Sequence, residues 1–393
     1  MSDDASDVDV LLHLVREQLG MDVAFVTRFD GSHREFRNID SGIGTGGIAP
    51  GFVDEREHTF CQYIVDERIG QVTPDALTLD LVRDLPQTRA FGIRSYIGVP
   101  LTLADGQVYG TLCAFSQEAN SALGESDAVV LRALAPVLMG IIGREDTERH
   151  ALAEKSRSLQ GLYDTGGPSS VFQPVVELDT LQVVGWEALS RFPGQTLSPA
   201  QWFSAAAAIG QTAALERSAI RAAVDAFDSP EGFLALNASE ETIVSSEFSA
   251  LFVDVPLARV VIEITEHHAI ADYPRLHAAL TELRQGGARV AVDDAGAGYS
   301  TFQHILVLEP DLIKLDISLI RSIDRDHRRQ ALASAIASFA AKTDSRVIAE
   351  GIETAEELAC LRRLDIHLGQ GYHLGRPGPL PAPSTSTTSL AAG

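Results

Sequence analysis

Apolar positions along the chain change period more than once. Val10, Leu11, Leu14, Val15 and Leu19 recur at helical spacing, and Val23-Ala24-Phe25-Val26 follows as a strand. In "SYIGVPLTLADGQVYGTLCAFS" two apolar runs flank Ala104-Asp105-Gly106, and an Asp-Gly between strands predicts a hairpin. A helix is predicted over Ser126 to Ile142. Helix, mixed strands, hairpin and closing helix make a small α+β domain over residues 1–143.

The next segment, residues 144–167, is charged. Leu138, Ile141, Ile142, Leu152, Leu159 and Leu162 fall at roughly heptad spacing across it. Two readings stand: a solvated connecting helix, or a helix pairing with its twin in a homodimer, since so thin a stripe needs a partner in water. Gly166-Gly167-Pro168 ends it.

From 168 to 380 the pattern becomes apolar strands that end in polar residues, with helical stretches between. The strands are "FLALN" to Asn237, "RVVIEI" with Glu263, "RVAVDD" to Asp293 and Asp294, "LIKLD" with Lys314 and Asp316, and "RVIAE" to Glu350. Repeated β-then-α units predict a TIM-like (β/α)8-type barrel. "VFQPVVELDTLQVVGWEAL" instead looks like a hairpin with Asp179-Thr180 at its turn, so the first barrel strand is expected to run reversed. Residues 381–393, rich in Ser, Thr, Ala and Pro, are expected to be a disordered tail.

Composition narrows the function. With 393 residues, 45% hydrophobic and 22% charged, the chain has the make-up of a soluble two-domain protein. Cys61, Cys113 and Cys360 are far apart and odd in number, which argues for a reducing, cytoplasmic setting over a disulfide framework. The start MSDDASDVDV is no signal peptide, and apolar runs such as Leu134 to Ile142 are short for a bilayer. A net charge of −23 disfavours nucleic-acid polymers and anionic membranes as partners.

Barrel enzymes place their chemistry at the C-terminal ends of the strands. Glu187, Asn237, Glu263, Asp293, Asp294, Lys314, Asp316 and Glu350 all sit at or just past such ends. Any one of them is equally readable as a solvated loop residue or a helix cap. Together they make a carboxylate rim that repels itself unless cations bind, and oxygen-only donors suit Mg²⁺ or Mn²⁺ better than Zn²⁺. Two such ions would serve phosphodiester hydrolysis.

"EAL" stands at Glu187-Ala188-Leu189, with "FQPVV" before it and Arg191 after. "LALN", "IEITE", "VDDAGAGYS", "DLIKLD", "VIAEGIET" and "GQGYHLGRP" follow in order. Over Val171 to Pro377 the chain resembles the EAL-domain cyclic di-GMP phosphodiesterases. The resemblance implies that Glu187, Asn237, Glu263, Asp293 and Glu350 hold metal, with Asp294 on the second ion or the attacking water. It implies that Lys314 orients or activates that water beside Asp316, and that Gln173, Leu189 and Arg191 hold substrate. Gln370 would line the far side, and Glu353 would anchor the loop after Asp294. The general base stays open between Glu350 and the Lys314/Asp294 pair. Ala295 and Ala297 replace the Phe and Thr of the common "DDFGTGYS" loop, while Gly296 and Gly298 remain.

The first section, with "EHTFCQYIVDERIGQVTPDA" and "FGIRSYIGVPLTLADGQVYGTLCAFS", resembles a GAF sensory domain whose ligand is unknown. His58 and Cys61, three apart, fit either a cofactor contact or a surface histidine beside a small core residue. The reading is a GAF–EAL protein that hydrolyses cyclic di-GMP to linear 5'-pGpG with two Mg²⁺ or Mn²⁺ ions. The alternative is a catalytically silent cyclic di-GMP receptor or protein-interaction module. The sequence disfavours a cyclase, since no "GGDEF"-like stretch occurs in it.

Overall fold

A computed structural model describes residues 6–44, 47–194, 197–229, 231–264, 270–295 and 300–381. Residues 382–393 of the expected tail lie outside them, as do Gly296, Ala297 and Gly298. The chain divides into two units, Met1–Ala151 and Leu152–Gly393.

The first unit opens with α1 (Asp7–Leu19), started by a reciprocal Ser6–Asp9 capping box. Strands β1 (Val23–Asp30), β2 (His33–Ser41) and β3 (Val53–Glu55) precede α2 (Phe60–Val65) and β4 (Val72–Thr73). Short helices α3 (Asp80–Arg83) and α4 (Pro86–Ala90) lead to β5 (Ser95–Thr102), β6 (Val108–Ser116) and α5 (Glu125–Asp164). The strands pair antiparallel in the order β3-β2-β1-β6-β5-β4. Strand alternation gives the sheet two apolar faces. Ala24, Val26, Ile97 and Val99 pack with Val8, Leu12 and Val15 of α1 and Leu131, Ala135, Leu138 and Ile142 of α5. Val23, Phe25, Tyr96, Cys113 and Phe115 face Phe60, Cys61 and Ile64 of α2 on the other side.

The predicted domain helix and connector are one 40-residue helix. By length and composition α5 is able to cross a bilayer, unlike the short run the sequence suggested, but several of its apolar residues are committed to the core just described. The heptad stripe is likewise taken up. Leu138 and Ile142 are buried in the first unit, while Leu159 and Leu162 pack with Phe192, Trp202 and Leu215 in the second. Leu152 stays exposed.

The second unit starts with β7 (Ser169–Glu177) and β8 (Val183–Arg191), joined by residues 178–182, a longer turn than the expected two-residue one. There follow α6 (Pro199–Ala208), α7 (Thr212–Ala226), β9 (Phe233–Asn237), α8 (Glu240–Ile243), β10 (Val260–Ile264) and α9 (Tyr273–Gln285). Next come β11 (Arg289–Ala295), α10 (Ser300–Leu308), β12 (Leu312–Leu315), α11 (Ile317–Ile320) and α12 (His327–Lys342). β13 (Arg346–Ala349), α13 (Ala355–Arg363) and β14 (Leu368–Gly369) complete it. The strands close as β10-β11-β12-β13-β14-β7-β8-β9, with β7 antiparallel to both neighbours and the rest parallel. The reversed first strand is present as expected.

Period-two alternation sorts the barrel residues. Val261, Ala291, Leu312 and Ile348 fill the interior with Val175, Phe233, Ala235 and Leu368. Leu234, Val260, Ile262, Val290, Val292 and Ile313 face the helices. Gly185 of β8 makes room inside, since a Cβ there would stand 2.5 Å from the Phe233 ring. Gly185→Ala is therefore expected to overpack the interior and destabilise the protein by about 1–3 kcal/mol, read as a lower denaturant midpoint.

Candidate active site

Counting two residues past each interior side chain gives the rim. Asn237 follows Ala235, Glu263 follows Val261, Asp293 follows Ala291, Lys314 follows Leu312, and Glu350 follows Ile348. The same parity places Glu187 two after Gly185 and Gln370 two after Leu368. On reversed β7 the rim lies at the N-terminal end, so Gln173 precedes interior Val175. Side chains from eight strands thus converge at one mouth.

At the centre stands the Lys314 ammonium, 1% exposed. Its Nζ lies 2.7 Å from Glu350, 2.9 Å from Glu263, 3.1 Å from Asp293 and 3.4 Å from Glu187. Asn237 Nδ2 donates to Glu187, and Gln370 Nε2 donates to Glu187 at 2.6 Å and Glu350 at 3.0 Å. Gln370 Oε1 is buried with no donor among the described residues.

One ammonium against four carboxylates leaves the site short of positive charge. Burial pushes the Glu350 carboxyl up to about 8, with Asp293 and Glu187 adding to it against Lys314. Burial also holds Glu263 well above the usual range, with Glu187 and Asp293 beside it. Glu187 goes the other way. Burial opposes its ionisation, but Lys314, Gln370 and Asn237 outweigh that and lower it. Burial alone would lower Lys314, yet the four carboxylates raise it well above the ordinary lysine value.

The donors fit divalent cations. Glu187, Glu263 and Asp293 bring oxygens within 4.8 Å of one another, and so do Asp293, Asp294 and Glu350. The two groups share Asp293, so ions held by both would have that carboxylate in common. All the donors are oxygens, as Mg²⁺ and Mn²⁺ prefer.

Asp294 joins by a backbone device invisible in the strand pattern. Val292 pairs with Ile313 and Ala295 with Leu315, so Asp293 and Asp294 together oppose the single residue Lys314. Asp294 adopts φ +55°, a left-handed conformation that Asp tolerates better than most residues, and its N–H donates to Asp293 Oδ1 at 2.8 Å. Simple alternation would send the two carboxylates to opposite sides; the bulge brings both to the site.

The other expected residues are placed less centrally. Asp316 caps α11, accepting from Ser318 N at 2.9 Å. Glu353 is half-exposed and pairs with Arg321 at 3.2 Å; the loop it was expected to anchor is outside the described residues. Gln173 donates to the Gly375 carbonyl. Leu189 and Arg191 line a cavity of about 610 Å³ that reaches Asn237. Its far wall comes from α6 and α7, which the strand-end pattern did not flag. Phe203 lines it, as does Glu216, which accepts from Ser239 N, Ser239 Oγ and Thr242 Oγ.

The EAL domain model matches residues 156–377 and the GAF domain model residues 8–142. The chain belongs to the EAL domain family. It is 30% identical over 309 residues to an uncharacterized signaling protein of Caulobacter vibrioides, covering 75% of this chain and 37% of that one. It is 32% identical over 222 residues to a cyclic di-GMP phosphodiesterase of Pseudomonas aeruginosa, covering 53% and 38% respectively. The chain thus spans less than two thirds of either relative. The solved EAL domain protein from Listeria monocytogenes shares the fold, with a TM-score of 0.51 at 23% identity over 57% of this chain and 94% of that one.

In this EAL domain the lysine and the carboxylates hold each other in place. Lys314→Met is expected to destabilise the metal-free protein by about 3–5 kcal/mol, because the carboxylates lose their buried counter-charge. Added Mn²⁺ should recover more thermal stability in the variant than in the parent. Equal melting temperatures in chelator would contradict this reading.

Proposed function

We propose that the EAL domain hydrolyses one phosphodiester bond of cyclic di-GMP, giving linear 5'-pGpG, with two Mg²⁺ or Mn²⁺ ions. The observation that carries this reading is the pair of oxygen-donor groups sharing Asp293 at the barrel mouth, with Lys314 between them. The names of relatives such as the Pseudomonas phosphodiesterase support the substrate.

Glu187, Asn237, Glu263, Asp293, Asp294 and Glu350 would hold the ions, which when bound supply Lewis acidity toward phosphate and water. Arg191, half-buried at the cavity wall, has a guanidinium able to grip a phosphate, with Leu189 and Gln173 positioning the substrate around it. Lys314 keeps the carboxylates in register and holds a proton at Nζ facing the reacting centre. Glu350, or Asp294 together with Lys314, would take a proton from the attacking water, and Gln370, which donates to both Glu350 and Glu187, would orient them. Asp316 fixes the backbone after Lys314. We further infer that the GAF domain regulates this activity through α5, in a cytoplasmic homodimer.

Incubating the full chain with cyclic di-GMP and Mg²⁺ or Mn²⁺ tests the proposal. Linear product is expected, with loss of turnover in chelator. Glu187→Ala should lower turnover about 100-fold or more. Tight binding with no product under either metal would establish the silent receptor instead.

A further inference from the structure

The GAF domain carries a cluster of reactive groups that the phosphodiesterase reading does not use. On the aromatic face of the sheet, Cys61 of α2 and Cys113 of β6 are both fully buried, with their sulfurs 3.8 Å apart. Tyr96 Oη lies 3.3 Å from the Cys61 sulfur. Arg34 of β2, 3% exposed, directs Nη1 onto the same sulfur at 3.2 Å. Its Nε and Nη2 are both held by Asp54 of β3.

A structural cysteine has no need of a guanidinium. Burying an arginine is expensive without anionic partners, and Asp54 already takes one edge of the fork. The remaining nitrogen aimed at a sulfur is what a thiolate requires. Burial opposes ionisation of Cys61, but the Cys113 thiol and the Arg34 charge outweigh it and hold this thiol well below its usual value. Burial and the neighbouring Cys61 push Cys113 the other way. The guanidinium contact falls on Cys61 and not on Cys113, so Cys61 is the thiol whose ionised form Arg34 stabilises.

The surroundings leave room for sulfur and little else. Gly98 pairs with Cys113 across β5 and β6, and a Cβ at Gly98 would stand 2.7 Å from the Cys113 sulfur. The box formed by Phe25, Phe36, Phe60, Tyr96 and Phe115 encloses only about 10 Å³. That is too small for an organic chromophore. His58 is exposed, with Nδ1 3.5 Å from Tyr63 Oη, so the expected alternative of a His58–Cys61 cofactor contact gains no support from this arrangement.

We propose that Cys61 and Cys113 are a peroxide-sensitive dithiol, with Cys61 the attacking thiolate, Arg34 its fixed counter-charge and Cys113 the resolving thiol. When local opening of the short helix α2 admits hydrogen peroxide to the buried sulfur, the Cys61 thiolate attacks one of its oxygens. The O–O bond breaks, hydroxide leaves and recovers from solvent the proton that Cys61 released on ionising, becoming water, and Cys61 becomes a sulfenic acid. The Cys113 thiol then attacks the Cys61 sulfur, the S–O bond breaks, and the oxygen departs with the Cys113 proton as a second water. Two electrons pass from the two sulfurs to one peroxide. The sulfurs close from 3.8 Å to about 2.05 Å, and Arg34 loses the negative charge it faced.

Cys360 is an internal control. It is as buried as the pair, but its sulfur lies 3.8 Å from the Ile323 carbonyl and burial raises its pKa. The full-length protein is treated with hydrogen peroxide, denatured, alkylated and peptide-mapped. The expected result is a Cys61–Cys113 disulfide, a mass lower by two hydrogens, recovery with dithiothreitol, and loss of Cys61 at least about tenfold faster than loss of Cys360. Cys113→Ser, or Cys113→Ala should the serine variant not fold, should leave a sulfenic acid on Cys61 that dimedone labels. Three alkylatable thiols after treatment, a disulfide that includes Cys360, or no dimedone adduct in a folded Cys113 variant would each overturn the proposal.

Discussion

The Lys314 ammonium and the carboxylates around it are tolerable only together. A lysine buried to 1% exposure inside a barrel would lose its charge if alone, and Glu187, Glu263, Asp293 and Glu350 crowded around one point would take up protons. Each makes the other's burial affordable, and burial, helped by the neighbouring carboxylates, still holds Glu263 and Glu350 above the usual range against Lys314. The barrel supplies the geometry. Strand alternation puts an apolar residue inside, and two positions later the same face carries an acid, an amide or the lysine. Reversal of β7 keeps Gln173 on that rim by presenting its other end.

Much of this was readable in advance because it depends on period. Apolar strands ending in Asn237, Glu263, Asp293 and Glu350 declare both the barrel and its functional end, and Lys314 falls in the same register. What escaped depends on single backbone torsions and on tertiary partners. The bulge and the left-handed Asp294 reverse the expected divergence of the two aspartates, and nothing in "VDDA" marks a positive φ. That Asp316, which has the spacing of a site residue, also caps the N-terminus of α11 had no separate signal. Glu216 and Phe203 lie on helices whose pattern reports only their buried faces, so their place at the cavity wall had no linear signal.

The first domain teaches a similar lesson about periodic stripes. The leucines that suggested a pairing helix are divided between the cores of the two units, because α5 runs unbroken through the boundary that the composition suggested. On the opposite face of the GAF sheet, Cys61 and Cys113 are 52 residues apart in sequence, and only the antiparallel order and the position of α2 bring them together.

We propose that the carboxylate ring is a binuclear site whose two ions would share Asp293. Anomalous diffraction from crystals grown with Mn²⁺ and cyclic di-GMP tests it most directly. The account predicts two manganese peaks flanking the Asp293 carboxylate, one toward Glu187 and Glu263 and the other toward Asp294 and Glu350. A single peak, or none at the barrel mouth with the nucleotide bound, would contradict it.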